Sequence, residues 1–514
     1  MSAMTALFSR CRGLSARPES RYVGRSLFSA ALIIGALAIG AQASGAPASA
    51  DLNGVARTVA EGPTVPLAVV SEDPYTNPGT YHKTQVEPHS AAFGSTIVSI
   101  FQSGRSYNWG SSNVGWSVSS DAGATWTDGF LPGTTIHATP PGRWQRVTDA
   151  VVDYDAKHDA WLIVGLGTRP CSLKQTCAGG QVFVSRSTDG AQTFEEPILP
   201  IHVGRSGQFV DVTWITCDNF QNSPFYGNCY IVWNDDWHGQ RLNAYTSSDG
   251  GVSWTKATIA PNEHCDVHPI PVVQPNGNVV VPLRWCRTDF EQTITSTDGG
   301  ASYIAAHSNL PYFDGRYPGG FFRHLGGLSI DVDAAGTIYA AWPDCQFRPP
   351  GPSGQPCGSH NDIVFSTSRD GRHWSDAFRI PIDPVTSRVD HFLPAIAVDP
   401  QTSGASAHIG IVYYFYPEQI CGWRTCQPSV GFVSSTDGGA TWEVQQLAGP
   451  FKNTWFPLTS SGYMVGEYIG ISFVDGRAVP TFPVATNSGR CKLAEVTSCN
   501  EWIASATIPL MPGP

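Results

Sequence analysis

Six near-copies of one phrase, Ser-x-Asp-x-Gly-x-Thr-Trp, punctuate the chain and restrict what it can fold into. Their aspartates are Asp121, Asp189, Asp249, Asp298, Asp370 and Asp437, and the closing aromatics are Trp126, Phe194, Trp254, Tyr303, Trp374 and Trp442. The copy at Ser368 is one residue short. Recurrence at this spacing means an array of similar supersecondary units, each needing its neighbours to bury a shared core.

The chemistry of the phrase describes a turn. Aspartate bonds its own backbone two residues on, and glycine supplies the positive φ of a tight reversal. The aromatic is large enough to wedge between neighbouring sheets. A short alternating strand precedes each copy, such as Gly115-Trp116-Ser117-Val118 or Asp362-Ile363-Val364-Phe365. The phrase therefore sits between two strands. These residues resemble the Asp-box (BNR) repeat of the sialidase superfamily. The resemblance runs from about Asp121 to Trp442 and implies an all-β propeller with structural box aspartates. Such turns occur on propellers of unrelated activity, so they specify fold more than function.

Unit number follows from spacing. The box aspartates span five intervals with a mean of about 63 residues, which divides the chain beyond its leader into roughly seven units. Seven candidate inner-strand starts agree: Val86-Glu87-Pro88, Val147-Thr148-Asp149, Phe209-Val210-Asp211, Val267-His268-Pro269, Arg323-His324-Leu325, Asp390-His391-Phe392 and Gly466-Glu467-Tyr468. Seven blades are expected, six being the alternative. The last unit has no box; Trp502-Ile503-Ala504-Ser505-Ala506 is expected in one of its outer strands, and the segment 53–70 is expected to add a strand that closes the ring.

Residues 1–50 read as a secretory signal peptide: five arginines, an apolar run from Leu27 to about Ile39, then Ala48-Ser49-Ala50. Residues 51–514 are expected to form one propeller domain. Of thirteen cysteines, only Cys11 lies in the leader. The other twelve fall in neighbouring pairs, 171/177, 217/229, 265/286, 345/357, 421/426 and 491/499. An even count in an exported chain predicts disulfides rather than zinc, and nearest-neighbour pairing is the simplest connectivity. Net charge is −11 for the whole sequence and +4 for the leader, hence −15 beyond it. An acidic protein without a basic stripe is not built for nucleic acid, nor for an anionic membrane once the leader is removed. The expected partner is an extracellular glycan or glycoconjugate, met by a monomer.

In a four-stranded meander the start of the first strand and the end of the second share a rim, opposite the box turns. That rim gathers Glu87, Asp149, Asp211, Asp390 and Glu467 as acid/base candidates, with Tyr468 as a candidate nucleophile. Arg105, Arg284, Arg348, His268 and His391 are the candidate substrate-binding residues. Glycoside hydrolysis needs one carboxyl protonated and another ionised, and carboxylates held close push their pKa values apart. Arginine forks suit a substrate carboxylate or vicinal hydroxyls. No cofactor is expected, although a structural Ca²⁺ on the carboxylates, or in the loops around Asp218-Asn219 and Asp153-Tyr154-Asp155, is an alternative. Trp116, Trp144, Trp237 and Trp455 are candidate sugar-stacking platforms.

Sialidase membership implies an arginine triad, a Tyr-Glu nucleophile pair and an aspartic acid/base. Here the first inner strand carries Glu87 and no arginine. Phe378-Arg379-Ile380-Pro381 has the composition of the family's first-arginine motif but follows the fifth box. Glu467-Tyr468 is similar in type to the nucleophile pair. Trp342-Pro343-Asp344-Cys345, Asp390-His391-Phe392-Leu393-Pro394 and Met464-Val465-Gly466-Glu467-Tyr468 resemble stretches of bacterial exported sialidase-like (exo-α-sialidase family) proteins. The expected function is a secreted, sialidase-like glycoside hydrolase. The alternatives are a non-catalytic glycan- or protein-binding propeller and a uronate-polysaccharide lyase with His391 or Tyr468 as base.

Overall fold

A computed structural model describes residues 65–168, 180–198, 210–235, 241–260, 269–283, 291–313, 315, 317–323, 327–350, 360–417, 421–422, 424–489, 491 and 498–510. The leader and the Cys171/Cys177 and Cys265/Cys286 pairs lie outside them, as do His268 and Arg284. Among the described residues no helix is long and apolar enough to cross a membrane.

The protein is a nearly all-β propeller. Its first meander runs through Gln85–Phe93, Thr96–Arg105, Ser111–Ser119 and Thr127–Phe130, all antiparallel. The second runs through Arg146–Asp155, Ala160–Thr168 and Gly180–Ser187. Later meanders begin at Val210–Cys217, Val272–Val273, Ser329–Val332, Asp390–Val398 and Gly470–Val474. Each of these innermost strands packs against the next, and Gly470–Val474 packs back on Gln85–Phe93, so the series closes on itself. Strand pairing does not return seven separate four-stranded sheets. A single pair, Ser111 with Val147, merges the first two meanders into one seven-stranded sheet, and the smallest sheet is the hairpin Leu458–Thr459/Gly462–Tyr463.

Closure uses both ends of the described chain. Ala68–Val69 pairs antiparallel with Glu501–Ser505, Ala68 facing Ser505 and Val69 facing Ala504. The N-terminal strand thus completes the sheet that holds Trp502, as expected, and covers an edge that would otherwise be open.

The six repeated turns share one hydrogen-bond pattern. In the first, Ser119 Oγ donates to Asp121 Oδ1 (2.8 Å), while the Thr125 N–H and hydroxyl donate to Asp121 Oδ1 and Oδ2 (2.8 and 2.6 Å). Asp189, Asp249, Asp298 and Asp437 repeat it. In the shortened copy His373 Nδ1 replaces the hydroxyl at Asp370 Oδ2 (2.7 Å). Every box aspartate is spent on its own turn. The turns also clip neighbouring units: Arg186 Nε donates to Gly250 O (2.8 Å) and Thr246 Oγ1 to Gly300 O (3.0 Å).

Disulfides link Cys217 to Cys229, Cys421 to Cys426 and Cys491 to Cys499, the expected nearest-neighbour pairs. Cys345 is also disulfide-bonded, and its expected partner Cys357 lies outside the described residues. Two of the four tryptophan platforms do not hold. Trp144 is 1% exposed and stacks on Phe183, and Trp116 is buried against Phe194. Trp455 is half-buried, and Trp237 lies outside the described residues. Packing claims the first two because Gly129 and Gly167 leave their rings room against the adjoining strands.

Candidate functional site

The rim is built by a local irregularity in the innermost strands. Pairing slips between Val86 and His89, and again between Thr148 and Val151. Glu87 and Asp149 sit in those slips with φ of 54° and 51°. A bulge turns the side chain off the regular alternation and aims it somewhere new. The same slip recurs at Val212 and Leu393.

Glu87, Asp149, Asp211, Glu467, Tyr468 and Arg105 converge on one polar cluster. Gln102 Nε2 donates to Glu87 Oε2 and to Thr148 Oγ1, and Thr148 Oγ1 donates to Asp149 Oδ1 (2.8 Å). Asp149 Oδ2 accepts the Val212 N–H (3.1 Å) and its carboxyl also bonds that of Asp211. Burial, then the charges of Glu467 and Asp149, push the Glu87 carboxyl up to about 8. Burial and Glu467 raise Asp149 as well. The site therefore holds Glu87 protonated at neutral pH, the pattern expected of carboxyl groups forced close together.

Arg323 belongs here and was missed among the site candidates. Its Nε and Nη2 reach Glu467 Oε1 at 2.6 and 2.5 Å. Although burial opposes it, Glu467 and Glu87 push this guanidinium above its ordinary value. The signal was its place in Arg323-His324-Leu325, matched to the other inner-strand starts. That strand instead begins at Ser329, so Arg323 arrives on the approach to the strand. Arg105 is buried beside the same carboxylates. Its Nη1 donates to Gly110 O (2.7 Å) and its Nε to Met464 Sδ (3.1 Å), and burial with Arg323 lowers it to about 10.

Inside a regular strand Glu467 and Tyr468 would point to opposite faces. They precede the strand, which begins at Gly470. Gly466, at φ 153°, lies against the Glu87 backbone, where a Cβ would meet Glu87 Cα at 2.9 Å. Both side chains therefore reach the cluster. The Tyr468 hydroxyl donates to Ala150 O (3.0 Å), its ring meets Trp214 edge to face, and burial drives its pKa well above the usual value. Tyr468 also lines a cavity of about 300 Å³, with His89, Trp214, Asp153, Asp331 and Glu467 among others.

The expectation of a single shared cluster is corrected for Asp390, His391 and Arg348, which form a second group. Asp390 Oδ1 accepts the Asn361 N–H and side-chain amide (2.8 and 3.1 Å). Arg348 pairs with Asp362 (2.6 Å) and donates to the carbonyls of Val385, Ser387 and Val389. Arg379, from Phe378-Arg379-Ile380-Pro381, also pairs with Asp362 and Asp383 (2.9 and 2.5 Å). His391 Nε2 lies 3.9 Å from Asp383. Asp362, Asp383 and His391 are close enough to share one ion, but two guanidiniums already neutralise those carboxylates. Arg348 has Nη1 and Nη2 committed to protein acceptors, so a substrate carboxylate would have to displace them to gain its fork. In the proposed Ca²⁺ loops, Asp218 accepts from Ser223 and Phe220, Asp155 from Lys157 and His158, and Asp159 from Tyr154. These are turn contacts.

No protein-family model matches the chain. It is similar to a xyloglucanase from Paenibacillus sp, with 25% identity over 363 residues, covering 66% of this chain and 29% of that protein. The chain thus spans less than a third of the length of that relative. Among solved structures it is similar to phage phi92 endosialidase (10% identity, TM-score 0.46, 87% of this chain and 70% of that one). It is also similar to Trypanosoma rangeli sialidase in complex with sialic acid (11%, TM-score 0.44, 87% and 59%). From its own sheet pairing and ring closure, the chain is an all-β propeller.

Proposed function

We propose that the protein is an exported, monomeric glycoside hydrolase of sialidase-like type that cleaves an extracellular glycan at the Glu87–Glu467 cluster. One observation carries this reading: a carboxyl pushed up to about 8 stands beside a carboxylate that is ion-paired to Arg323. Two carboxyl groups driven toward opposite protonation states supply the acid and base of glycosidic cleavage. Glu87 gives its proton to the leaving oxygen as the carbon–oxygen bond breaks. Glu467 supplies an electron pair to the anomeric carbon, directly or by taking a proton from water. Burial, with the charges of Glu467 and Asp149, keeps Glu87 protonated, and Asp211 hydrogen-bonds Asp149. The sialidase-like and xyloglucanase similarities support a glycan as the substrate class, and the leader and disulfides support export.

A second reading, glycan binding without turnover, is favoured by one feature. Arg105 has donors committed to Gly110 and Met464, so no ready clamp for a substrate carboxylate is offered there. The lyase reading is weakened on both its bases. His391 lies in the other cluster, and the Tyr468 hydroxyl donates to Ala150 O.

The test is incubation of the mature protein with α-sialosides, uronate polysaccharides and neutral glycans including xyloglucan, with product analysis. Turnover by the wild type should fall at least about 100-fold in Glu87→Gln and in Glu467→Gln. Absence of product from every panel removes the enzyme reading. Glycan retention without product would then support the binding reading.

A further inference from the structure

Both arginines of the cluster have an exposed aromatic two residues away, Tyr107 beside Arg105 and Phe321 beside Arg323. One hairpin holds both. Ser460 N–H donates to Tyr107 O and Tyr463 N–H donates to Phe321 O, each at 2.9 Å. The two donors are three residues apart, so these carbonyls are anchored within about 11 Å of chain. The hairpin runs on through Met464-Val465-Gly466 into Glu467, and the Glu87 N–H donates to Val465 O (2.9 Å). Aromatics and carboxylates are therefore mounted on one continuous piece of backbone.

Phe321 is the more constrained of the two. Its φ is 57°, a region that a bulky side chain avoids. The neighbours impose it. Phe322 is buried against Phe392 and Phe456, and Arg323 N–H donates to Tyr463 O (2.7 Å). Gly462 makes room, since a Cβ there would stand 2.5 Å from Phe321 O. With Phe322 turned in and Arg323 turned to Glu467, the left-handed residue leaves the Phe321 ring 56% exposed. Tyr107 is 38% exposed. An aromatic exposed at the expense of backbone strain, two residues from an arginine of the polar cluster, is a surface for an apolar, ring-shaped ligand face.

We infer that Tyr107 and Phe321 form stacking subsites flanking the carboxylate cluster, which bind the pyranose rings next to the one being cleaved, so that the protein takes oligosaccharides in preference to single-ring glycosides. This rests on the glycan reading above and adds the length of substrate it accepts. Pyranose rings present a C–H face that packs on an aromatic ring, while their hydroxyls remain solvated or reach the polar cluster.

The test is calorimetric titration of the wild type, Tyr107→Ala and Phe321→Ala with the same glycan panel, each glycan supplied as an oligosaccharide and as a single-ring glycoside. Oligosaccharide affinity should drop about tenfold in either variant, with single-ring binding changed much less. Phe321→Asn, which tolerates a left-handed backbone, should lose the same affinity while melting no lower than the wild type. Unchanged oligosaccharide binding in all three variants would overturn the subsites and leave the glycan reading standing. A wild type that binds no member of the panel would overturn both.

Discussion

Glu87 and Asp149 occupy equivalent bulged positions on neighbouring innermost strands, both in left-handed backbone, and are linked through Gln102 and Thr148. Two further bulges place Val212 and Leu393 in the same conformation. A shared backbone device thus carries carboxyls on two units and aliphatic side chains on two others. The strain costs about 1–3 kcal/mol at each non-glycine position, and only the first two return an electrostatic consequence for it.

Glu87 should govern the alkaline limb of activity. A general acid must carry its proton, so kcat/KM should fall as pH rises through about 8. The stability sign agrees. A carboxyl raised in the folded state contributes fully below its unfolded pKa, and the contribution is lost as pH rises through about 8. A pH–rate profile retaining full activity at pH 10 would assign the acid to another group.

Arg323 should be worth more to stability than an exposed ion pair. Arg323→Met takes a guanidinium away from Glu467 in the company of Glu87, Asp149 and Asp211. Removing one member of a buried pair costs about 3–5 kcal/mol. Thermal denaturation at pH 7 should show a lowered Tm, and turnover should fall with it.

Arg348 should behave differently, because its two terminal nitrogens are spent on Asp362 and three carbonyls. Arg348→Lys lacks the fork that meets these acceptors at once. Its Tm should drop while the KM of the surviving folded protein stays near wild type. A raised KM at unchanged Tm would move Arg348 into the substrate site.

Glu501 is buried, and among the described residues neither of its carboxyl oxygens has a hydrogen-bond partner. Burial raises its pKa well above the usual value against the opposing charge of Arg105. Its stability contribution is therefore present below the unfolded pKa and lost as pH rises toward the folded value. Glu501→Gln carries no charge to bury. It should melt higher than the wild type at pH 8, with the difference vanishing near pH 4 as measured by calorimetry.

Much of the fold was legible because it depends on local chemistry. Ser, Asp, Gly and Thr at fixed offsets close the same turn wherever they occur, so Asp121 through Asp437 were readable as structural. Cys217/Cys229, Cys421/Cys426 and Cys491/Cys499 were readable because short separations hold each pair close. The site was legible in residue type and less so in grouping. Glu87, Asp149, Asp211 and Glu467 interact in one cluster, whereas Asp390 and His391 have Asn361, Arg348 and Asp383 as their partners. Strand order places a residue at a rim but not at a radius. Arg323 was overlooked because its approach to the ring follows an irregular path from Phe321, which periodicity does not describe.

By itself the amino-acid sequence determined the repeated turns and the alternation of the strands, since each depends on residues close in sequence or on a simple hydrophobic pattern. Only the tertiary structure decided which charges meet. Bulges at Glu87 and Asp149, the turn at Gly466 and the left-handed Phe321 redirect side chains by fractions of a strand repeat, and their positions are set by packing between units distant in sequence. Burial then converts that placement into chemistry, because a carboxyl withdrawn from water beside other carboxylates retains its proton.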